Sequence, residues 1–375
     1  MKWLFWISVA LLVYTYAGYP AWLWLRTRYH SRPLRSSSYK PSLSIVMVVR
    51  NEASVLESKL RNLFSLDYAE PLRETIVVSD GSSDASNQIL GRYASDPRLR
   101  VILKPESEGK AAGLNDAVGM ARGEIVLFTD ARQMLEPDAA SRLVESLADP
   151  EVGCASGELM LGDPGSGEAN QGMGLYWRME KWIREMESAA GSAVGATGAL
   201  YAVRRNLVVR VPAHTILDDV YIPMHVVRQG HRVIFDPGAR AWDAADLGQE
   251  REFSRKVRTL SGNYQLLQLA PWLLSSANPL RFEFISHKLL RLSAPFALVG
   301  AFVSALLLPE LVYRAALLAQ VLFYLLSGIA RTKLAMGPVA HMADAARTFV
   351  LLNSAATLAF LNFVTGRRVS WGKTA

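Results

Sequence analysis

The chain has 375 residues, half of them apolar, and carries 41 Lys and Arg residues against 34 Asp and Glu residues, for a net charge of +7. This length allows one large or two ordinary domains with a sizeable core. The single cysteine, Cys154, excludes an internal disulfide framework and suits a reducing compartment. The positive charge is concentrated in the flanks of apolar segments, so it indicates membrane-surface and phosphate chemistry, and nucleic acid is not needed to explain it.

The first 25 residues are predicted to form a transmembrane helix. Trp3 to Leu25 is apolar over about the 20 residues that a spanning helix needs and is rich in Trp and Tyr. A cleaved signal peptide is the alternative, but its apolar region is normally only about 7–15 residues long. The linker at residues 26–42 holds five Lys or Arg residues, whereas only Lys2 precedes the helix. This asymmetry predicts that the domain after the linker lies in the cytoplasm.

Short apolar runs alternate with helical patterns through the middle of the chain. This alternation predicts a parallel, doubly wound α/β sheet. No G-x-G-x-x-G or G-x-x-x-x-G-K motif occurs, which argues against dinucleotide oxidoreductases and P-loop enzymes. The predicted strands are Leu43–Val49, Glu74–Ser79, Leu99–Leu103, Glu124–Thr129 and Val152–Leu159. The predicted helices are Val55–Phe64, Asp84–Tyr93, Lys110–Ala121 and a helix that begins at Asp218–Asp219 and runs to Arg228.

Carboxylates follow several of these strands. Asp130 ends the fourth strand, where it could hold a divalent cation against a nucleotide's phosphates, or merely cap the next turn. Asp80 and Asp84 follow the second strand, where they could accept hydrogen bonds from a base or a ribose. The alternative is that Asp80 belongs only to a turn and Asp84 only to a helix cap. Both sets suit a nucleotide site at the carboxyl ends of the strands.

The second half of the middle region offers three further features. Leu175–Arg184 reads as an amphipathic helix at the membrane surface, along an acceptor groove or in the core. Asp218 and Asp219 precede an apolar helix, and one of them could deprotonate a sugar hydroxyl, although helix dipoles also favour carboxylates there. Arg255 and Arg258 would share a helix face and could clamp a diphosphate or meet anionic lipid.

Three apolar spans are expected near the C-terminus, over Leu292–Leu308, Leu311–Ala330 and Thr348–Val364. Three crossings would leave Arg367 and Arg368 outside, against the positive-inside rule, so the last span could be re-entrant or cleanly crossing. The predicted organisation is an N-terminal span at 1–25, a linker at 26–42, a catalytic domain at 43–245, an interfacial basic segment at 246–288, spans at 289–365 and a tail at 366–375.

Over residues 43–263 the chain resembles family 2 glycosyltransferases, which are membrane-bound inverting enzymes with the GT-A nucleotide-sugar fold. Each motif is weak alone, but their order and spacing together make the resemblance specific. The matching motifs are Val48–Glu52 with Asp80–Asp84, then Thr129–Arg132, Asp218–Asp219 and Arg255–Thr259.

The resemblance implies roles for the residues in these motifs. Asp80 would meet uracil, Lys110 would lie near the nucleotide, and Asp130 would bind Mg²⁺ or Mn²⁺ at the diphosphate. Asp219 would be the general base beside Asp218, and Arg258 would stabilise the departing nucleoside diphosphate. The resemblance also implies nucleotide-sugar contacts from Val49, Asn51, Glu52, Asp84 and Arg255, and acceptor-side positions for Gly198 and Tyr201.

Two departures from the family pattern bear on function. Arg132 stands where the family's D-x-D motif has its second carboxylate, which puts metal ligation by two protein carboxylates in doubt. Thr259 and Arg255 replace the Trp and Gln of the Q-x-x-R-W motif of processive synthases. We therefore expect transfer of one or few sugars from a UDP-sugar to a lipid-linked or saccharide acceptor, by a multi-pass inner-membrane enzyme for exopolysaccharide or glycolipid synthesis. The alternatives are a processive polysaccharide synthase and a nucleotide-binding membrane subunit that has lost catalysis.

Overall fold

The computed structural model describes residues 1–162, 175–243, 249–330 and 337–367. The predicted end of the catalytic domain at residue 245 and nearly all of the predicted tail lie outside the described residues. The glycine-rich sequence of residues 161–174 predicts a loop, most of which also lies outside them.

The described part of the middle region is built on one eight-stranded mixed sheet with the order β3-β2-β1-β4-β7-β6-β8-β5. β1, β2, β3 and β4 are parallel to their neighbours in this group, as predicted. β7, however, runs antiparallel to both β4 and β6, so the prediction of a wholly parallel sheet is wrong. The strands are β1 Leu43–Val49, β2 Arg73–Asp80, β3 Leu99–Lys104, β4 Ile125–Thr129, β5 Met134–Leu135, β6 Val152–Leu161, β7 Leu200–Arg204 and β8 Arg232–Asp243.

The unpredicted strands show what local patterning misses. β8 has Arg232 and Asp243 at its ends and Pro237 and Gly238 within it, so it lacks the apolar run that marked the other strands. β7 follows the small residues of Gly195–Ala199, and this composition predicts only that the backbone can approach a ligand closely. A run of apolar residues reports burial and not strand direction, and therefore the reversal of β7 had no sequence signal.

Helices cover both faces of the sheet. One apolar cluster packs Leu56 and Leu60 of α3 and Leu143 of α6 against the inner side chains of β1 and β4. The opposite cluster packs Leu114 of α5 and Met224 of α8 against the other face. All seven residues of β1 are buried, as expected for a strand covered on both faces. The helices of this domain are α3 Ala53–Phe64, α4 Ser86–Arg92, α5 Lys110–Met120, α6 Ala139–Ser146, α7 Leu175–Ala190, α8 Asp218–Arg228 and α9 Gln249–Leu269.

Four helical segments of the described chain are long and apolar enough to cross a membrane: Lys2–Tyr29, Arg281–Leu307, Leu311–Ile329 and Pro338–Val364. They match the predicted spans in number, one before the catalytic domain and three after it. The last is longer than expected, since it begins at Pro338 and not at Thr348. The segments comprise α1 Lys2–Val13 and α2 Tyr19–Tyr29, then α10 Arg281–Phe284 and α11 Leu290–Leu307, then α12 Leu311–Ile329, and finally α13 Pro338–Val364.

The first two spans pack closely. A methyl group added at Gly300 of α11 would come within 2.7 Å of the Ser8 hydroxyl oxygen on α1. Small residues of this kind let helix backbones approach each other in lipid, where van der Waals packing drives association.

α7 joins the spans to the catalytic domain. Its Ile183 is fully buried against Tyr19 and Leu23 of the first span, so the predicted amphipathic helix is packed against protein. Its Glu187 accepts a hydrogen bond from the Tyr19 hydroxyl at 2.6 Å and lies 2.8 Å from Nδ1 of His287. Since these groups are buried and paired, α7 is fixed relative to both spans.

Candidate active site

The loops after β1 and β2 brace each other. Asn51 has a positive φ of 55°, a conformation that Asn adopts more readily than most residues. Its side-chain oxygen accepts a hydrogen bond from the backbone N–H of Ser83 at 2.8 Å. In return, Asp84 accepts a bond from the Ala53 N–H at 3.0 Å and one from the Ser86 N–H at 2.9 Å, next to the start of α4. Asn51 and Asp84 therefore shape one continuous rim at the ends of both strands.

Asp80 lies at the end of β2 and is fully buried. Its carboxylate accepts hydrogen bonds from the Ser107 hydroxyl at 2.6 Å and from the N–H groups of Glu108 and Gly109 at 2.9 Å each. These bonds hold the segment that leads into α5. A contact between Asp80 and a nucleotide base remains a prediction. Val49 is likewise fully buried, in the apolar cluster on one face of the sheet, and a contact between Val49 and a nucleotide also remains a prediction.

A lysine joins the two acidic centres of the site. Lys110, the first residue of α5, lies 2.9 Å from Oδ1 of Asp130 and 3.3 Å from Oδ1 of Asp218. Burial alone would lower the pKa of Lys110, but the charges of Asp130 and Asp218 outweigh burial and raise that pKa above its ordinary value. Asp130 at the exit of β4 and the acidic pair at the start of α8 are thus brought together.

Asp219 is held by the loop before β7. Its Oδ2 accepts a hydrogen bond from the Gly198 N–H at 3.1 Å, and its backbone carbonyl accepts one from the Ala196 N–H at 2.7 Å. Burial, followed by the charge of neighbouring Asp218, raises the pKa of Asp219 to about 6. A carboxylate with this pKa is deprotonated at neutral pH and is yet a stronger base than an ordinary Asp.

Tyr201 lies behind the acidic pair. Its ring stacks on Phe128 with centroids 4.6 Å apart, and its hydroxyl lies 3.4 Å from Oδ2 of Asp218. Because Tyr201 is fully buried, we place it behind Asp218 and not on the acceptor side. Gly198, the other predicted acceptor-side residue, does face Asp219 directly.

Gly198→Ala should lower kcat. A Cβ at this position would lie 3.0 Å from Oδ2 of Asp219, so either the loop or the carboxylate must move. Since displacement of a catalytic group by about 1 Å can cost about 100-fold in rate, we expect a loss of about 10- to 100-fold. Steady-state kinetics of the purified protein measures it. Gly119→Ala on the open side of α5 is the matched control, and equal rates for both variants would contradict the assignment.

Arg132 pairs with Glu52. Its Nε lies 3.2 and 3.1 Å from the two carboxylate oxygens of Glu52, at the end of the β1 loop. Arg132, which replaces the second D-x-D carboxylate, therefore pairs with a carboxylate at the rim formed by the loops after β1 and β2. The two partners are 80 positions apart in the chain.

Asp130 is the protein group best placed to meet a divalent cation, because it ends β4 and its side chain is 40% exposed. Within the described ranges, no three His, Cys, Asp or Glu side chains are grouped closely enough to hold a metal ion. The residues fit a cation that takes most of its ligands from a diphosphate and water, as Mg²⁺ commonly does. They do not fit a metal site built from protein groups alone.

The two arginines of the last motif lie on α9. Arg255 pairs with Asp243 at the end of β8, with 3.4 Å between Nη1 and Oδ2, and Arg258 is half-buried one turn further along. Between them, the Lys256 ammonium lies over the rings of Tyr176 and Trp177 of α7, at 5.9 and 5.4 Å from the centroids. α9 is therefore packed against α7 at the side of the site nearest the spans.

Sequence reasoning missed Arg184 of α7. Its guanidinium reaches the loop that holds Asp219, and its charge lowers the pKa of Asp219, which opposes the effect of burial. The local pattern marked Arg184 only as a polar position of an amphipathic helix.

Comparisons with known proteins show similarity to glycosyltransferases. Residues 44–211 match the family model described as glycosyl transferase family 2. An N-acetylglucosaminyltransferase of Bradyrhizobium elkanii is 38% identical over 125 residues, which are 32% of this chain and 67% of that protein. The poly-beta-1,6-N-acetyl-D-glucosamine synthase of Staphylococcus aureus (strain COL) is 23% identical over 252 residues, or 64% of this chain and 61% of the synthase.

A solved structure extends the similarity over nearly the whole chain. It is a mannosyltransferase from Pyrobaculum calidifontis, in complex with GDP-Man and Mn²⁺, that is 25% identical to this chain. The two superpose with a TM-score of 0.74 over 97% of this chain and 100% of the other.

Proposed function

The chain belongs to glycosyltransferase family 2 and has the GT-A fold, and from this premise we propose that it is an inverting transferase that uses a UDP-sugar. The proposed acceptor is a lipid-linked or saccharide hydroxyl at the cytoplasmic face of the inner membrane, and the product an exopolysaccharide or glycolipid. The observation that carries the proposal is the pair of ion pairs that Lys110 makes with Asp130 and Asp218. They link Asp130, the carboxylate expected at the diphosphate of the sugar donor, to the acidic pair.

The proposed reaction follows from the positions of these groups. The acceptor hydroxyl lies against Asp219, which takes its proton as the oxygen attacks the anomeric carbon. The bond from that carbon to the diphosphate breaks in line, and the nucleoside diphosphate leaves with the electron pair. Arg258 stabilises the charge that develops on the leaving group. A bound Mg²⁺ or Mn²⁺ near Asp130 would neutralise part of the diphosphate charge.

The comparisons also offer an alternative donor and an alternative product class. The solved relative carries GDP-Man, so a GDP-sugar is the alternative donor. A processive synthase is the alternative product class, since one relative is a polysaccharide synthase. Thr259 and Arg255 at the positions of the processive motif favour transfer of one or few sugars. The presence of Asp219 and of the Arg255 and Arg258 pair argues against a subunit that only binds nucleotide, because binding alone needs neither.

The rate should fall in acid with a midpoint near pH 6. Asp219 acts only when deprotonated, and burial raises its pKa to about 6. Below that pH, kcat/KM should fall about tenfold per unit as the base becomes protonated, and above it the rate should level off. A pH–rate profile from pH 5 to 8 measures this. A rate that stays constant down to pH 5 would contradict a base with this pKa.

Nucleotide titrations test the donor class. UDP and GDP would be titrated calorimetrically into the purified full chain, with Mn²⁺ or with EDTA. The proposal expects Mn²⁺-dependent binding of UDP that is weakened by Asp130→Ala. Preferential binding of GDP would overturn the donor assignment, and equal affinity in EDTA would overturn the role of the cation.

A further inference from the structure

Arg184 connects α7 to the loop that holds Asp219. Its Nη1 donates a hydrogen bond to the Thr197 hydroxyl oxygen at 2.6 Å, and its Nε lies 3.4 Å from Oε1 of Glu180. The side chain is only 23% exposed. A hydrogen bond from a charged donor in such a setting is roughly twice as strong as one between neutral groups.

The backbone N–H and the backbone carbonyl of Thr197 are both hydrogen-bonded. Its N–H donates to the Ser156 hydroxyl at 2.8 Å, and its carbonyl accepts from the Leu200 N–H at 3.0 Å. The next N–H along the chain is that of Gly198, which donates to Asp219. Holding the Thr197 side chain therefore also holds the donor that fixes the catalytic carboxylate.

Arg184 is also linked to the second span, through Glu180 of its own helix. Its partner Glu180 lies 3.1 Å from Nε2 of His287 and also accepts a hydrogen bond from Arg291, and both of these residues belong to the second span. Arg184 thus stands between the buried Glu180 carboxylate and the Thr197 hydroxyl of the active-site loop. Because Glu180 cannot move freely, the guanidinium is held in one position.

The charge of Arg184 acts on the base as well. The charged groups that act on Asp219 include Asp218, Lys110, Arg184 and Asp130. Asp218 and Asp130 raise the pKa of Asp219, whereas Lys110 and Arg184 lower it. Without Arg184, fewer positive charges would offset burial, and the carboxylate would be protonated at a higher pH.

We propose that Arg184 is a positioning residue for sugar transfer, which holds the Thr197–Gly198 loop against Asp219 and adds its positive charge to the surroundings of that carboxylate. The inference rests on the proposed role of Asp219. It assigns two separable effects to one side chain: a hydrogen bond that sets geometry and a charge that sets the protonation of the base.

Three substitutions separate these effects. Arg184→Met removes both, so kcat should fall about 10- to 100-fold and the acidic limb of the pH–rate profile should move towards neutral pH. Thr197→Val removes the hydrogen bond and leaves the charge, so kcat should fall without movement of the limb. Arg184→Lys keeps the charge, so the limb should stay near its wild-type position while kcat falls. Arg178→Met, at an exposed position of the same helix, is the control.

The measurement is kcat/KM against pH for each folded variant, with nucleotide affinity measured in parallel. An Arg184→Met limb that coincides with the wild-type limb would overturn the charge effect, and wild-type kcat in Thr197→Val would overturn the positioning effect. If Arg184→Met fails to fold, Arg184→Gln, which also removes the charge, tests the charge effect by the position of the acidic limb, and Thr197→Val tests the positioning effect by kcat. Two other results would instead refute the proposed function. One is a wild-type pH–rate profile without an acidic limb, and the other is an Asp219→Asn variant that keeps the wild-type rate.

Discussion

Asp219→Asn is expected to lower kcat by about 1,000-fold, because general-base catalysis by a positioned side chain contributes about 10²- to 10⁴-fold. Asn has nearly the same shape, and its side-chain oxygen can still accept the hydrogen bond from Gly198 that fixes Asp219 at 3.1 Å. What it cannot do is take a proton from the acceptor. The loss should therefore appear in kcat, while the affinity for nucleotide changes little.

The control for this substitution is Asp116→Asn, on the exposed side of α5. The exposed Asp116 pairs with Lys104 at 2.7 Å, and Lys104 keeps a second ion pair, with Glu108 at 2.9 Å, when Asp116 is replaced. It should leave kcat unchanged. Steady-state turnover and nucleotide titration of the two variants make the comparison, and a kcat for Asp219→Asn within about tenfold of wild type would remove this residue as the base.

Lys110→Met is expected to impair both turnover and stability. The ammonium lies between Asp130 and Asp218, and its charge also lowers the pKa of Asp219. Without it, three neighbouring carboxylates repel one another, and the base becomes protonated at a higher pH. We expect kcat at pH 7 to fall about 100-fold, by analogy with the loss of other catalytic charges.

The stability effect has the same cause. The side chain of Asp218 is only 4% exposed, and removing one partner of a buried ion pair costs about 3–5 kcal/mol of unfolding free energy. Thermal unfolding in detergent should therefore show a lower Tm for Lys110→Met. Lys40→Met, at an exposed linker position, provides the comparison, and a Lys110→Met protein with wild-type Tm and wild-type kcat would show that the bridge contributes to neither.

The parts of this site that the sequence predicted are those carried by local patterns. β1 and its following loop, the position of Asp130 at the exit of β4 and the acidic pair at the start of α8 all lie where short apolar runs and their polar ends placed them. Buried strands and helix starts depend on neighbouring residues, so a single sequence contains them.

The parts that it did not predict depend on contacts between distant residues. Arg132 was recognised as an unusual residue, but its partner Glu52 lies 80 positions away. Arg184 looked like any polar residue of an amphipathic helix, and its function follows only from the position of Thr197 across the loop. The reversed direction of β7 is a property of the sheet and not of the strand's own residues.

α7 contacts both the membrane spans and the active-site loop. One side of this helix packs on the first span through Ile183, and Glu180 binds residues of the second span. Arg184 extends from the same helix to the active-site loop. The orientation of the spans is therefore coupled by direct contacts to the loop that carries the Gly198 N–H.

Nucleoside diphosphate release tests whether the protein transfers sugar from a UDP-sugar with Asp219 as the base. The purified full chain in nanodiscs would be incubated with a panel of UDP- and GDP-sugars, Mn²⁺ and a membrane lipid extract as a source of acceptor, beside Asp219→Asn. We expect release from a UDP-sugar by the wild type and its loss in the variant. Release that persists in Asp219→Asn, or that occurs only with GDP-sugars, would contradict it.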